Sequence, residues 1–575
     1  MHLASLYSNV ARGNSEERSF AEEMWGPIPR ELSQVSSLAK SNKKGFNYLK
    51  DVEESLELLR KILRTHHRHL RNLTPELDAH LENLDSGLIE VAHQPLLFGG
   101  QVFLISKLFL THRLADAARA ESDGPSFVPI FYIGDHDTVQ NELITTRFPM
   151  SISQDGLYIK SEISSRFDQS AIHAVPMPSQ NWIRESIDII LDNARSLLRS
   201  SGVRGRTREL LEERLRSAVD LIETQAYTLN SLADWSTHIL TRIMSGNRMA
   251  IPMIRASDNE LRKLTVRGFE RLLQEETRQK FIRTMNEYRE RIVKNGFSAG
   301  LPPREKSYVP FFYECDCELR VRVNLEAFLE GAYVNLTGNC PKCGESYNFS
   351  FSAQNPDLSD IAENISPRVD SRASVLAEVL PIVAHVGGGG ETAYYGQVAP
   401  AMRAVGVQSP IFVRYNRVLY NTPWSESLAR NLLEDEGCRV CPVQTHALWG
   451  ALRDLRKTKN PAHRREIAYN IEQMLTESDE GITTIVEETE EALRTKSRKI
   501  PRIEMKRLIK QRLYVSFTYG RLSQEARPQD VIWHWLDLGM IVGTFDLAGF
   551  FNRHTWLDLP PGTTIFGNTG SFLEN

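Results

Sequence analysis

The sequence predicts an α/β protein built on a parallel sheet, and three observations support this prediction. Two strongly apolar runs, residues 88–92 and 127–133, are separated by a stretch with helical character at residues 102–120. Each run is followed by a polar or glycine-containing loop. A third apolar run, residues 382–386, precedes four consecutive glycines. Because parallel sheets bind ligands at the carboxyl ends of their strands, we expect polar clusters at these ends to form one site.

The length and composition exclude several classes of protein. A chain of 575 residues corresponds to about four domains of ordinary size. With 41% apolar and 25% charged residues, it is expected to bury a sizeable core, unlike a disordered or fibrous chain. The formal net charge of −4 provides no basic field that would attract nucleic acid, so any anion site is local. No nucleic-acid partner is expected.

The sequence also predicts neither secretion nor a membrane span. Residues 1–13 include Arg12 and lack the apolar core of a signal peptide. The longest charge-free run, residues 91–106, falls short of the roughly 18 residues that a span needs. Six cysteines in three close pairs indicate metal or redox chemistry in a reducing cytoplasm, because they are too few for a disulfide framework.

The first 85 residues are predicted to be helical. Leu56, Leu59 and Leu63 recur at helical intervals. Thr74 followed by Pro75 has the pattern of a helix N-cap and first helical residue.

The loop after the first predicted strand is a candidate anion site. It begins with His93 and Gln94, and Gly99 and Gly100 near its end allow close approach of a backbone. The following helix would present free N–H groups to a phosphate or carboxylate, with Lys107 about two turns along it. The loop matches neither the P-loop nor the dinucleotide fingerprint, and an ordinary strand-to-helix turn is the alternative.

The second predicted strand ends in Asp135, His136 and Asp137. One carboxylate can orient the histidine as a general base, or the three side chains can hold a divalent ion on a nucleotide phosphate. A solvated polar loop is the alternative. Residues 181–295 then have a helical pattern, interrupted by a short strand at residues 250–255.

Residues 308–352 alternate as β-strands and contain the most specific motif of the chain. Cys315 and Cys317 are followed, after a gap of 22 residues, by Cys340 and Cys343. Two thiolate pairs on tight turns match tetrahedral zinc in a zinc ribbon, and four buried apolar cysteines are the alternative. Because four thiolates complete the coordination shell, a structural zinc is expected. If one thiolate dissociated, the zinc would instead bind a substrate thiol.

A further pair, Cys438 and Cys441, has the spacing of a redox motif, but it lies outside a thioredoxin-like strand-to-helix context, which favours two ordinary free thiols. A second metal site with His446 as a further ligand is the less favoured alternative. The charged helical patterns beyond Pro461 predict a helical hairpin or a coiled-coil arm.

Four consecutive glycines follow the third predicted strand and precede Glu391. Such a run costs chain entropy, which indicates that its backbone must approach another group closely. The glycines are Gly387, Gly388, Gly389 and Gly390.

Together these motifs resemble the BshC family, the cysteine-adding enzymes assigned to the last step of bacillithiol synthesis. Three blocks occur in the family's order: residues 93–107, residues 128–137 and residues 366–414. Weaker similarity extends the resemblance from about residue 40 to about residue 540. The third and longest block contains Ser366, Pro367, Arg372, Leu380, Pro381, the glycine run, Glu391, Tyr394, Gln397, Pro410 and Arg414.

The resemblance implies a Rossmann-like core similar to that of class I aminoacyl-tRNA synthetases, with inserts and a coiled-coil arm for homodimerisation. The chain departs from the family at residues 92–95, which read Ala-His-Gln-Pro where Thr-Gly-Gln-Gln is usual. It also has Gly389 in place of proline, one carboxylate fewer in the acidic cluster, and the added cysteine segment.

The patterns and the resemblance together predict seven segments. These are an N-terminal helical segment (1–85), two parts of a Rossmann-like core (86–180 and 356–455), a helical insert (181–300), a zinc-ribbon-like insert (301–355), a coiled-coil arm (456–520) and a C-terminal segment (521–575).

The activity that the resemblance implies is the joining of L-cysteine to the amine of glucosaminyl malate, with ATP and Mg²⁺ as expected partners in activating the carboxylate. The expected catalytic residues are His93, Asp135, His136, Asp137 and Glu391. The expected substrate- or nucleotide-binding residues are Gln94, Gly99, Gly100, Lys107, Arg372, Gly387, Gly388, Gly389, Gly390, Tyr394, Gln397 and Arg414. The alternatives are a related ligase with another amino acid or acceptor, and a non-catalytic zinc-containing scaffold or RNA-binding protein.

Overall fold

The computed structural model describes residues 2–45, 53–121, 126–227, 229–329, 333–433, 501–520 and 528–573, and single positions at 460, 462–463, 466–467, 470 and 491. In these residues the helices are α1 (Leu3–Ala11), α2 (Arg18–Trp25), α3 (Val35–Lys43), α4 (Glu53–His69), α5 (Pro75–Glu82), α6 (Val102–Ala120), α7 (Gln180–Ser200), α8 (Gly205–Ala226), α9 (Leu232–Gly246), α10 (Asn259–Leu273), α11 (Glu275–Lys294), α12 (Arg372–Ala377), α13 (Gly389–Ala404), α14 (Pro423–Leu433), α15 (Arg502–Tyr519), α16 (Gln529–Ile532), α17 (Trp535–Val542) and α18 (Leu547–His554). The strands are β1 (Leu88–His93), β2 (Val128–Ile133), β3 (Thr145–Met150), β4 (Ser153–Lys160), β5 (Met253–Arg255), β6 (Phe311–Glu314), β7 (Arg320–Arg322), β8 (Asn324–Leu329), β9 (Tyr333–Asn339), β10 (Ser346–Ser352), β11 (Ile365–Pro367), β12 (Ile382–Gly387), β13 (Ile411–Arg414), β14 (Arg417–Tyr420) and β15 (Thr564–Gly567).

The centre of the fold is a five-stranded sheet in which all neighbouring strands run parallel. Its strand order is β13-β12-β1-β2-β5. From β1 the chain adds β2 and β5 on one side, then returns to add β12 and β13 on the other. This is the strand order of a Rossmann-like sheet, and the direction of strand addition reverses between β1 and β12. The predicted α/β fold with a Rossmann-like parallel core is confirmed.

Alternate side chains of the central strands enter separate apolar cores on the two faces of the sheet. Ile89 and Val91 pack in a large cluster with Leu108 of α6. Leu88 packs in a second cluster with Leu59 of α4. The alternation follows from the two-residue period of a strand, and burial of both faces explains why the strands read as continuous apolar runs.

Two long insertions separate the strands of the sheet. Between β2 and β5 the chain forms the antiparallel hairpin β3–β4 and the helices α7, α8 and α9. Between β5 and β12 it forms α10, α11, six short strands and α12. Those strands make two antiparallel sheets, one of β8, β9 and β10 and one of β6, β7 and β11. The helical and β-rich patterns of the sequence are thus both realised.

The N-terminal helices pack against parts of the core that are distant in sequence. The Tyr7 hydroxyl donates a hydrogen bond to the carbonyl oxygen of Phe412 at 2.6 Å. The indole Nε1 of Trp25 donates to the carbonyl oxygen of Thr392 at 2.9 Å. Because these contacts reach β13 and α13, the N-terminal segment is continuous with the core.

The C-terminal segment also returns to the core, where β15 pairs in parallel with β14. Most of the predicted arm at residues 456–520 lies outside the described residues, as do Cys438, Cys441 and His446. The described end of that arm is α15. Among the helices that the structure describes, none combines the length and apolar character required to cross a membrane.

Candidate functional site

A cavity of about 570 Å³ lies at the carboxyl ends of β1, β2 and β12. Open α/β sheets bind their ligands at this position, where the direction of strand addition reverses. The sheet thereby brings together the three loops that the sequence predicts to form one site. The predicted residues that line the cavity are His93, Gln94, Lys107, His136, Asp137, Arg372, Gly388, Gly389, Gly390, Glu391 and Tyr394.

A row of five charged side chains begins and ends at this cavity. Glu90 accepts hydrogen bonds from Nη1 of Arg372 at 2.6 Å and from Nδ1 of His385 at 2.7 Å. Nε2 of His385 lies 3.3 Å from Oε1 of Glu391, and the other oxygen of Glu391 accepts a hydrogen bond from Nζ of Lys107. Positive and negative groups therefore alternate along the whole row.

The charges in this row reinforce one another. Burial acts to raise the pKa of Glu90, but Arg372 and His385 outweigh it and lower this pKa to about 2. Burial also acts to raise the pKa of Glu391, but Lys107 and His385 outweigh it and hold this pKa well below the usual value. Burial acts to lower the pKa of His385, but the two carboxylates raise it. With His385 protonated the row has one net positive charge, which suits an anionic ligand.

Helix α13 begins at the cavity wall. The N–H of Gly388, just before the helix, donates to Oε2 of Glu391 at 2.6 Å. The N–H groups of the first turn, including those of Gly389 and Gly390, have no acceptor inside the helix and form the positive end of its dipole. A Cβ atom at Gly390 would have no neighbour within 4 Å, so a ligand can approach the backbone there.

The end of β2 contributes an imidazole and a carboxylate to the cavity. Burial lowers the pKa of His136 to about 3, and its Nδ1 has no hydrogen-bond partner among the described residues. Burial likewise lowers the pKa of His93 to about 4. Asp137 accepts hydrogen bonds from Nε2 of Gln94 and from Nη1 of Arg320, each at 2.8 Å. The site therefore combines two neutral imidazoles with a firmly held carboxylate.

Asp135 does not line the cavity, although the sequence groups it with His136 and Asp137. Its side chain is completely buried and forms an ion pair with Arg255 at 2.8 Å. Its Oδ1 also accepts a hydrogen bond from the N–H of Ser257 at 2.8 Å. Asp135 therefore joins the ends of β2 and β5, and these contacts leave its carboxylate without access to a ligand in the cavity.

Gly99 and Gly100 are packed inside the protein, away from the cavity wall. Both have a left-handed φ, of +85° and +89°, which favours glycine. A Cβ atom at Gly99 would lie 2.9 Å from Cγ2 of Ile239. The start of α6 is covered as well, because the N–H of Val102 donates to the carbonyl oxygen of Trp533 at 3.2 Å. Protein groups thus occupy the anion site predicted at this helix terminus.

Gly387, Gln397 and Arg414 also lie outside the cavity lining. Gly387 is the last residue of β12, and a Cβ atom there would lie 2.7 Å from the ring of Phe412. Gln397 accepts a hydrogen bond from the N–H of Leu301 at 2.9 Å. Arg414 donates at 2.7 Å to a carbonyl oxygen of α1. Contacts within the protein account for all three residues.

Two members of the charged row, Glu90 and His385, are not among the residues predicted from the sequence. Both are completely buried in the middle of apolar strands. An ionisable residue in such a run is a usable signal, because a buried charge requires a partner. Other lining residues outside the predicted set include Phe103, Tyr132, Glu142, Arg368, Tyr415 and Arg417.

The four cysteines at residues 315–343 come together as their spacing predicts. Their sulfur atoms all lie within 4.8 Å of one another. The Sγ–Sγ distance is 3.4 Å both for Cys315 with Cys343 and for Cys317 with Cys340. Four sulfurs bound tetrahedrally to one zinc ion would be about 3.8 Å apart, given a Zn–S distance of about 2.3 Å. The cluster can therefore hold a metal ion.

Comparison with known proteins identifies similar sequences over more than half of the chain. Residues 30–416 match the family model described as "Bacillithiol biosynthesis BshC, N-terminal Rossmann-like domain". The chain is 24% identical over 321 residues to a protein of Symbiobacterium thermophilum named "Putative cysteine ligase BshC", a match that covers 55% of this chain and 52% of that protein. Proteins of the same name from Bacillus cereus and Bacillus anthracis are 21% identical over 333 residues, covering 58% of this chain and 55% of theirs. The chain spans about half the length of the curated relatives it matches.

Proposed function

The chain belongs to the BshC family, and on this basis we propose that it is a ligase that joins the carboxylate of L-cysteine to the amine of glucosaminyl malate. This is the last step of bacillithiol synthesis. The observation that supports the proposal most strongly is the row of alternating charges, which ends at the cavity with Lys107 and Arg372. A net positive row beside two neutral imidazoles suits the binding of carboxylates and the transfer of an amine proton.

Amide formation at neutral pH needs an activated carboxylate, so the proposal includes ATP and Mg²⁺ as reaction partners. ATP would transfer a phosphoryl or adenylyl group to the cysteine carboxylate, and the amine would then displace phosphate or AMP as the amide bond forms. Lys107 and the first turn of α13 would receive phosphate oxygens, because both present positive charge to the cavity. The open space at Gly390 supports close approach of such a group. Asp137 supplies carboxylate oxygens at the cavity, the ligand type that Mg²⁺ prefers.

The amine of the acceptor must lose a proton when the amide bond forms. His136 and His93 line the cavity and are held neutral by burial, so either imidazole can accept a hydrogen bond from the amine. We assign the role of accepting the amine proton to His136, because its Nδ1 has no hydrogen-bond partner among the described residues. Glu391 would act by holding Lys107 and the start of α13 in place.

The malate part of the acceptor carries two carboxylates, which we assign to the arginines of the cavity. Arg372 is rigidly held by Glu90, and its guanidinium group also lies over the ring of Tyr132, 5.2 Å from the centroid. Arg368 and Arg417 provide two more guanidinium groups in the lining. Planar guanidinium groups bind carboxylates with two parallel hydrogen bonds. Tyr394 would orient the same part of the substrate.

A second candidate is a related ligase with another acceptor. His93 and Gln94 belong to the segment in which this sequence departs from the usual family pattern, and both line the cavity. A change of side chains at these positions alters the groups that contact a substrate. The fold and the charged row would serve either acceptor.

The proposal also covers metal content, assembly and location. We assign a structural zinc ion to the four cysteines, because four thiolates leave no open coordination position. The resemblance further supports a homodimer formed through the helical arm and a cytoplasmic location. Binding of the zinc by a substrate thiol would require one cysteine to dissociate.

The test incubates purified protein with ATP, L-cysteine and glucosaminyl malate and follows the thiol product by mass spectrometry. We expect product, consumption of ATP, and strongly reduced turnover in Lys107→Met. Lys61→Met, which changes an exposed lysine of α4, is the matched control. Product from another amino sugar, with none from glucosaminyl malate, would favour the second candidate. Intact ATP and no product from any acceptor would reject the ligase proposal.

A further inference from the structure

The four-cysteine cluster is connected to the cavity by the strand that leaves its first turn. The N–H of Cys315 donates to the carbonyl oxygen of Leu319 at 3.0 Å, and the N–H of Glu318 donates back to the carbonyl oxygen of Cys315 at 2.7 Å. Glu318 has a left-handed φ of +69°, so this turn is tight. Arg320, the first residue of β7, follows three positions after Cys317.

The guanidinium group of Arg320 is held by several partners at once. Nη1 donates to Oδ1 of Asp137 at 2.8 Å, Nη2 to the carbonyl oxygen of Pro367 at 2.9 Å, and Nε to Oγ of Ser366 at 3.2 Å. The group also lies 4.5 Å from the centroid of the Phe312 ring. A planar fork with this many partners has a fixed direction, so the position of β7 sets one of the side-chain hydrogen bonds that hold the Asp137 carboxylate, another being that of Gln94.

A second set of contacts links the cysteine turn to the backbone of Asp137. The N–H of Ala171 donates to the carbonyl oxygen of Glu318 at 3.0 Å. The N–H of the next residue, Ile172, donates to the backbone carbonyl oxygen of Asp137 at 2.8 Å. Lys342, between the second pair of cysteines, donates to the carbonyl oxygen of Cys317 at 2.9 Å. Residues 170–172 therefore lie between the cluster and the end of β2.

We infer that the metal-bound cysteine cluster positions the Asp137 carboxylate in the cavity, and that Arg320 is the positioning residue between them. The apolar cluster around the cysteines is small and includes Leu319 and Val321 besides the cysteines themselves. Such a subdomain depends on its metal for order, because binding of a structural zinc ion is coupled to folding. The inference rests on the proposed function only in its assignment of Asp137 to the reaction site.

The experiment compares amide hydrogen exchange in zinc-loaded protein, in protein treated with a zinc chelator, and in zinc-loaded Arg320→Met. Exchange in peptides covering residues 134–139 should rise about tenfold or more in both perturbed samples, the effect of losing one charge-assisted hydrogen bond. Arg320→Met should retain the zinc content of the wild type. Arg322→Met is the matched control, because Arg322 lies on the same strand and is exposed.

Unchanged exchange at residues 134–139 in either perturbed sample would overturn the inference. Loss of protection throughout the chain, including α8, would also overturn it, since the cluster would then hold the whole fold. Turnover provides a separate measurement, in which Arg320→Met should lower kcat more than it changes KM for cysteine. If no substrate pair gives product, the proposed function fails while the exchange data still decide the inference.

Discussion

Glu90 of β1 and His385 of β12 are register partners in the parallel sheet, and Oε2 of Glu90 lies 2.7 Å from Nδ1 of His385. The separation of these groups is therefore determined by the pairing of two central strands. Both side chains are completely buried, and each has a further charged partner at the cavity. The charged row is consequently part of the sheet as well as part of the site.

The first prediction concerns Glu90. We expect Glu90→Gln to lower the free energy of unfolding by about 3–5 kcal/mol, because Arg372 and His385 would remain buried without their carboxylate. Chemical denaturation measures this change. Glu57→Gln is the control, since Glu57 forms an ion pair at the surface with its side chain 68% exposed, and its midpoint should match the wild type. Equal midpoints for all three proteins would contradict the prediction.

The second prediction concerns pH. The pKa of His385 is raised in the folded protein, so its stabilising contribution is complete below its unfolded pKa of about 6.5 and is lost as pH rises through the folded pKa. The thermal midpoint of the wild type should therefore fall as the pH rises through the folded pKa of His385. The fall should be smaller in His385→Gln, which does not titrate there. Parallel curves for the two proteins above about pH 6.5 would contradict this assignment.

The third prediction separates two neighbouring glycines. Gly390→Ala should leave stability unchanged or raise it by about 0.4–1 kcal/mol, because the new Cβ meets no protein atom and the chain loses unfolded-state entropy. It should nevertheless lower turnover, since the methyl group occupies space proposed for the ligand. Gly387→Ala should instead lower the melting temperature, because its Cβ would lie 2.7 Å from the Phe412 ring. Full activity in Gly390→Ala would argue against ligand contact there.

The fourth prediction separates Asp135 from Asp137. Burial acts to raise the pKa of Asp135, but Arg255 outweighs it and lowers the pKa to about 2, so its stabilising effect is present above about pH 3.8 and lost as pH falls through 2. Asp135→Asn should therefore destabilise the protein at neutral pH. Asp137→Asn should keep most of the stability and lower kcat by about 10-fold to 100-fold, because an amide replaces the carboxylate proposed to bind Mg²⁺. Chemical denaturation and product formation are measured on both variants. Equal stability and equal kcat in Asp135→Asn and Asp137→Asn would contradict the different roles of the two carboxylates.

The fifth prediction concerns the cysteine cluster. Purified wild-type protein should contain one zinc ion per chain, and Cys340→Ser should lose it and melt at a lower temperature, because metal binding contributes to folding. Cys438→Ser is the control and should retain the zinc. Metal analysis by mass spectrometry gives the stoichiometry. If wild-type protein purified under metal-replete conditions contained no zinc, the assignment of a structural zinc ion to the four cysteines would be wrong.

Much of the fold could be predicted from local patterns. The strands at residues 88–93, 128–133 and 382–387 lie where the apolar runs indicate them, and α6 follows the first loop as expected. The cysteine spacing alone predicts a cluster of four thiolates, because ligand type and turn geometry are encoded within short segments. Of the residues that follow the strands, His93, Gln94, His136, Asp137 and the glycines 388–390 line one cavity, since the ends of parallel strands share one edge of the sheet.

The direction of individual side chains could not be predicted in this way. Asp135 and Asp137 differ by two positions, yet one joins β5 and the other lines the cavity. Gly99 and Gly100 have the composition of a ligand-binding turn, but Ile239 and the segment around Trp533 occupy the space beside them. These outcomes depend on neighbours from distant parts of the chain.

The sequence by itself determined the fold class, the three apolar strands that meet at the cavity, the thiolate cluster and the loops from which the site is formed. Only the tertiary structure decided that Glu90, Arg372, His385, Glu391 and Lys107 form one row. The physical reason is that strand register and helix packing set which distant side chains meet. A buried charge is retained only where that register supplies its partner.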